Sequence, residues 1–156
     1  MYFPSIDEYL KRETTSEKWH KEHPGEISKL YKNTRYFREV DRGVYYTNFS
    51  PEFAINDLIV MKESRYTRLY PGFHDYYEIT FLYSGKSTYY INNKEIKLYP
   101  GDIILIQKGV VRASDYSDYE DILINSVPGP ENEVYLVLFR IVSSRFCGQN
   151  MTERTE

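Results

Sequence analysis

FHDYYEITFLYSGKSTYYINNKEIKLYPGDIILIQKGVVR, residues 73–112, is the stretch whose punctuation decides the fold. Short runs rich in Ile, Tyr, Thr and Phe alternate with turn residues, the pattern of strands in a sandwich or barrel. Ser84-Gly85 ends one run. Asn92-Asn93 tolerates positive φ and suits a hairpin between Tyr90-Ile91 and Glu95-Ile96. Pro100-Gly101 fits the two central positions of a type II turn, since proline presets φ and glycine accepts φ above zero. Strand alternation puts Tyr76, Glu78, Thr80 and Leu82 on one face, and Tyr77, Ile79, Phe81 and Tyr83 on the other.

Working outward, strands are expected near 58–64, 76–83, 87–92, 95–98, 102–107, 110–116, 121–127 and 134–141. The last run, VYLVLFRI, is apolar almost throughout, which predicts cover on both of its faces. Upstream the chain is polar and helical in character. Ser5 with Glu8, and Thr14 with Glu17, have capping-box spacing and predict short helices over about 6–12 and 15–22, broken by Pro24-Gly25. The expected organisation is a helical N-terminal extension packed on the barrel (1–57), a barrel (58–141) and a polar tail (142–156).

Composition narrows the function. The 156 residues are 41% hydrophobic and 28% charged with net charge −3, a globular profile without a charged tail. A sequence pI near 5.7 offers no general attraction for nucleic-acid phosphates. The 17 tyrosines lean towards strands and a recognition surface, because a stiff ring with one polar handle packs and recognises at low entropic cost. One cysteine, Cys147, excludes an internal disulfide and fits a reducing compartment. No secretory h-region and no membrane-length apolar run is present, so a cytoplasmic location is expected.

Residues 72–116 resemble the paired motifs of the cupin superfamily. His74, Glu78 and Gly85 stand at the motif-one spacings, and Gly101 and Gly109 match motif two. Gly72 replaces the first histidine, Gln107 the proline, Arg112 the motif-two histidine and Tyr116 the closing asparagine. Within that superfamily, residues 58–127 are similar to the N-terminal ligand-binding domain of AraC-type transcription regulators, through the DYYEI core, the GKSTYYIN hairpin and the PGDIILI strand. The resemblance implies a mainly β fold, a double-stranded β-helix (jelly-roll barrel), with short helices at the N-terminus. It further implies a small-molecule effector such as a sugar, a homodimer, and DNA contact only through a C-terminal helix-turn-helix part, for which a chain ending at Glu156 leaves no room.

Carried over position by position, the family's metal ligands fall on Gly72, His74, Glu78 and Arg112. Glycine has no donor and arginine does not deprotonate, so no metal, no cofactor and no metal-dependent catalysis are expected. Arg112 facing Glu78 is either a structural ion pair or a donor fork offered to a ligand, with His74 alongside. Tyr76 and Thr80 share the Glu78 face, and Tyr76 with Tyr89 or Tyr90 could stack on a sugar ring or could be core. The candidate ligand site is therefore His74, Glu78, Arg112, Tyr76, Thr80 and Tyr89.

His20 and His23, three apart on a helix, read as surface residues. Asp115, Asp118, Glu120 and Asp121 lack the pattern of a calcium loop and read as a solvated loop. The expected function is a non-enzymatic effector sensor. A stand-alone cupin enzyme and a protein that only dimerises are the alternatives.

Overall fold

The computed structural model describes residues 5–28, 32, 37–48 and 58–128. The expected strand at 134–141, the tail at 142–156 and Cys147 lie outside the described residues. Two short helices come first, α1 (Ile6–Lys11) and α2 (Thr15–Glu22). Both capping boxes form: Glu8 and Glu17 each return a side chain to the amide of Ser5 and Thr14, at 2.8 and 2.7 Å.

The strands described are β1 (Phe37–Asp41), β2 (Val44–Thr47), β3 (Leu58–Lys62), β4 (Gly72–His74) and β5 (Glu78–Ser84). They continue with β6 (Ser87–Ile91), β7 (Lys94–Leu98), β8 (Ile103–Ile106), β9 (Arg112–Ser114) and β10 (Ile122–Pro128). One sheet has the order β1-β2-β4-β9-β6-β7 and the other β3-β10-β5-β8. This is a mainly β, double-stranded β-helix with short N-terminal helices. Leu82, Ile104, Ile106 and Leu123 of the smaller sheet meet Tyr89, Ile91 and Leu98 of the larger one to form the core.

The punctuation behaves as its chemistry requires. Asn92 and Asn93 take φ 48 and 63, the positive pair that closes the β6–β7 hairpin. Gly101 takes φ 94 and the Asp102 amide donates to the Tyr99 carbonyl at 2.9 Å, which closes the type II turn.

Two elements depart from expectation. Residues 37–47, placed above in a helical extension, form the β1–β2 hairpin, and β2 pairs in parallel with β4. The hairpin thus extends the larger sheet, and the change of character near residue 57 does not separate arm from barrel. Strand β1 shows little alternation because it is an edge strand whose residues after Phe37 are exposed. Strand β4 was missed because only three residues, Gly72–His74, pair before the chain turns towards β5.

Candidate ligand-binding site

Glu78 opens β5 on one sheet and Arg112 opens β9 on the other, so their side chains meet between the sheets. Arg112 donates from Nε to Oε1 at 3.2 Å and from Nη2 to Oε2 at 3.1 Å, a two-pronged pair with both residues buried. Burial alone would lower the Arg112 pKa, but the charge and hydrogen bonds of Glu78 outweigh it and raise that pKa. Removing either partner would strand a charge in the interior, at a cost of about 3–5 kcal/mol.

His74 is fully buried beside this pair, its Nε2 4.0 Å from Glu78 Oε2. Its Nδ1 lies 2.6 Å from the Tyr76 carbonyl oxygen, which can only accept, so Nδ1 carries the proton and Nε2 the lone pair. That Nε2 has no hydrogen-bond partner among the described residues. Burial, reinforced by the Arg112 charge, lowers the His74 pKa to about 4. The Tyr76 ring stacks on the imidazole with centroids 4.0 Å apart and planes 8° from parallel.

Thr80 and Tyr89 are fully buried, Tyr89 within the core cluster. A ring enclosed on both faces offers no platform to a sugar, so the stacking role suggested for Tyr89 is not what its position provides. Its hydroxyl instead donates to Glu63 Oε2 at 3.1 Å. Tyr90 points away and donates to the exposed Asp115.

A cavity of about 200 Å³ opens onto this cluster. Glu78, Arg112, Glu63 and Asn125 line it. So do Ser16 and His20 of α2 and Phe37, Tyr45 and Thr47 of the hairpin. Of the six residues expected at the site, Glu78 and Arg112 border the cavity, whereas His74, Tyr76, Thr80 and Tyr89 stand outside its wall. Glu63 and Asn125 were not anticipated. Asn125 Nδ2 donates to Glu63 Oε2 at 3.1 Å, and burial, with the Glu78 charge adding to it, raises the Glu63 pKa. No spacing rule points to this pair. Glu63 follows β3 and Asn125 lies in β10, outside both motifs.

Several other readings are corrected or explained by packing. His20, expected at the surface, is buried in the cavity wall with its ring edge-on to Trp19 at 5.0 Å. Asp121, expected in a solvated loop, is buried and accepts from the amides of Lys86 and Asp118 at 2.8 and 2.7 Å. A Cβ at Gly72 would lie 2.6 Å from the Tyr45 carbonyl oxygen, so the close approach of β2 explains why no side chain stands at the first ligand position. The donor set does not suit a metal: a guanidinium is bonded to both oxygens of the one carboxylate that would ligate it.

Residues 59–114 match the family model described as the AraC-like ligand binding domain. No curated protein matches the sequence. Among solved structures, the chain is similar to an RmlC-like cupin from Shewanella frigidimarina, at 18% identity and TM-score 0.40, covering 49% of this chain and 70% of that one. It is similar to KdgF from Halomonas sp. at 16% identity and TM-score 0.42, covering 65% and 95%. It is also similar to an HTH_3 family transcriptional regulator from Vibrio cholerae at 11% identity and TM-score 0.41, covering 54% of this chain and 48% of the regulator.

Proposed function

We propose that this cupin-superfamily domain is a non-enzymatic sensing module that binds a small polar effector in the cavity beside Glu78 and Arg112. The observation that carries the reading is a buried, two-pronged ion pair forming part of the wall of an open cavity. Polar groups converging in a concave site are what small-molecule recognition needs. At about 200 Å³ the space suits a molecule of sugar size better than a drug-sized one. The match over residues 59–114 to an AraC-like ligand binding domain supports the same reading. In this proposal the module works as a homodimer, and DNA is contacted only through a separate helix-turn-helix part. Because α2 contributes Ser16 and His20 to the cavity wall, an effector would also touch the N-terminal segment. A ligand shifts such docking only if it binds the docked and undocked states with different affinity.

The test separates binding from stability. Calorimetric titration with a panel of pentoses and hexoses is expected to find a ligand for the wild-type chain. In the double variant Glu78→Gln/Arg112→Met both charges are removed together, so no buried charge is stranded and the fold should survive. Its affinity should fall by about tenfold or more, from the loss of charge-assisted hydrogen bonds. By contrast, Arg112→Ala alone should lose about 3–5 kcal/mol of stability. Unchanged affinity in the double variant would make the pair purely structural, and stoichiometric metal in the purified protein would favour a cupin enzyme instead.

A further inference from the structure

We propose that His20 and Thr47 hold the effector by hydrogen bonds to its hydroxyl groups, so that α2 and the β1–β2 hairpin select the ligand together with Arg112. The inference rests on the reading of the cavity as the effector site, and adds two contact residues and the chemical group that they read.

His20 and Thr47 line the cavity and are only 5% and 7% exposed. Polar side chains this deep in a protein nearly always have hydrogen-bond partners. Neither ring nitrogen of His20 has one among the described residues, and neither has Thr47 Oγ1. His74 Nε2 and Asn125 Oδ1 also lack partners, but those two atoms are sealed off from any ligand. The polar atoms of His20 and Thr47 are not sealed, and both residues border the open space. Arg112 adds a third unspent group. Its Nε and Nη2 are committed to Glu78, whereas Nη1 has no acceptor among the described residues. A ligand oxygen can therefore take Nη1 without displacing Glu78.

The chemistry of the ligand follows from charge and from the count of donors and acceptors. Burial, with the neighbouring His23 adding to it, lowers the His20 pKa, so the ring is neutral at neutral pH. A neutral imidazole offers one N–H and one lone pair, and a threonine hydroxyl both donates and accepts. A carboxylate only accepts and an ammonium only donates, so each would leave a group of these residues unanswered. An alcohol hydroxyl answers both kinds.

The ring nitrogens of His20 are direct reporters. Those of His23, on the same segment, are the reference, because His23 stands outside the cavity wall with Nδ1 already 2.9 Å from the Trp19 carbonyl oxygen. Long-range proton–nitrogen NMR spectra of the full chain are followed during titration with D-xylose, D-ribose and D-glucose. Methylammonium chloride and sodium acetate, at matched ionic strength, are the charged probes, and Arg112 Nε reports occupancy of the cavity. At least one sugar should shift His20 and Arg112 saturably while His23 stays in place. A sugar that moves Arg112 but not His20 overturns the inference and leaves the cavity reading standing. So does a charged probe that moves His20 as strongly as the sugars do. No response at either residue to any of these probes overturns both readings. In His20→Leu the sugar affinity should fall about tenfold while the urea midpoint holds, since no hydrogen bond within the protein is lost. His20→Asn, which keeps a donor and an acceptor, should recover most of that affinity. A lower midpoint with unchanged affinity in His20→Leu would make the residue purely structural and overturn the inference. Should that variant fold poorly, the wild-type titration decides the matter.

Discussion

At neutral pH the His74 ring is uncharged, its Nδ1 proton on the Tyr76 carbonyl and its pKa held at about 4 by burial and Arg112. In the unfolded chain the same ring titrates near 6.5. Between these values the unfolded state binds more protons, so stability is fully present above the unfolded pKa and is lost as pH falls towards the folded one. Denaturant melts at pH 7 and pH 5 should therefore differ by about 2 kcal/mol more in the wild type than in His74→Gln, which keeps a donor for Tyr76. An equal acid loss in the two proteins would mean that the imidazole is not buried neutral. Glu78 and Arg112 were legible in the sequence because their cupin-motif spacing places them on facing strands. Glu63 and Asn125 were not, because their meeting depends on the β3–β10 register, which no local pattern encodes. The pattern left open which of Tyr89 and Tyr90 turns inward, and how deeply the opposite sheet encloses Tyr89 is a packing outcome.

At the scale of elements, turns and caps were the legible part, since their backbone demands are local. The sequence showed that Glu17 caps α2, but its second role needed tertiary structure. The same carboxylate, fully buried, also takes hydrogen bonds from Arg65 Nε at 2.8 Å and Lys62 at 3.0 Å. Arg65, fully buried too, continues to the carbonyls of Tyr119 and Lys11. The β5–β6 turn gives a sharper test of element geometry. Gly85 has φ 78, and a Cβ there would meet Asp121 Oδ1 at 2.3 Å and the Glu120 carbonyl at 2.5 Å. Gly101 has φ 94 with open space around it. Gly101→Ala should cost only the left-handed backbone, about 1–2 kcal/mol. Gly85→Ala must also push Asp121 off the amides it accepts from, so its melting temperature should fall much further. Equal losses would show that the loop moves aside freely.

For the molecule as a whole, the question is whether the N-terminal helices and the barrel unfold together. They share the cavity wall, and Glu17 is tied to Arg65 and Lys62. Burial would raise the Glu17 pKa, but the bonds from Arg65, the Thr14 amide and Lys62 outweigh it and lower the pKa to about 2. A depressed carboxylate contributes stability that is present above its unfolded value near 4.5 and lost as pH falls towards 2. The chain carries its own reporters for this joint. Its single tryptophan, Trp19, lies on α2 and stacks on His23 with centroids 4.5 Å apart, while far-UV dichroism is dominated by the strands. Urea transitions followed by Trp19 fluorescence and by dichroism should coincide at neutral pH, as a single cooperative unit requires. Glu17→Ala leaves the Arg65 guanidinium buried and uncompensated, at about 3–5 kcal/mol, and that cost falls on the joint rather than on the core. In this variant the Trp19 transition should move to lower urea and part from the dichroism transition. Separate transitions in the wild type, or joint ones in the variant, would show that Glu17 is not what ties the helices to the barrel.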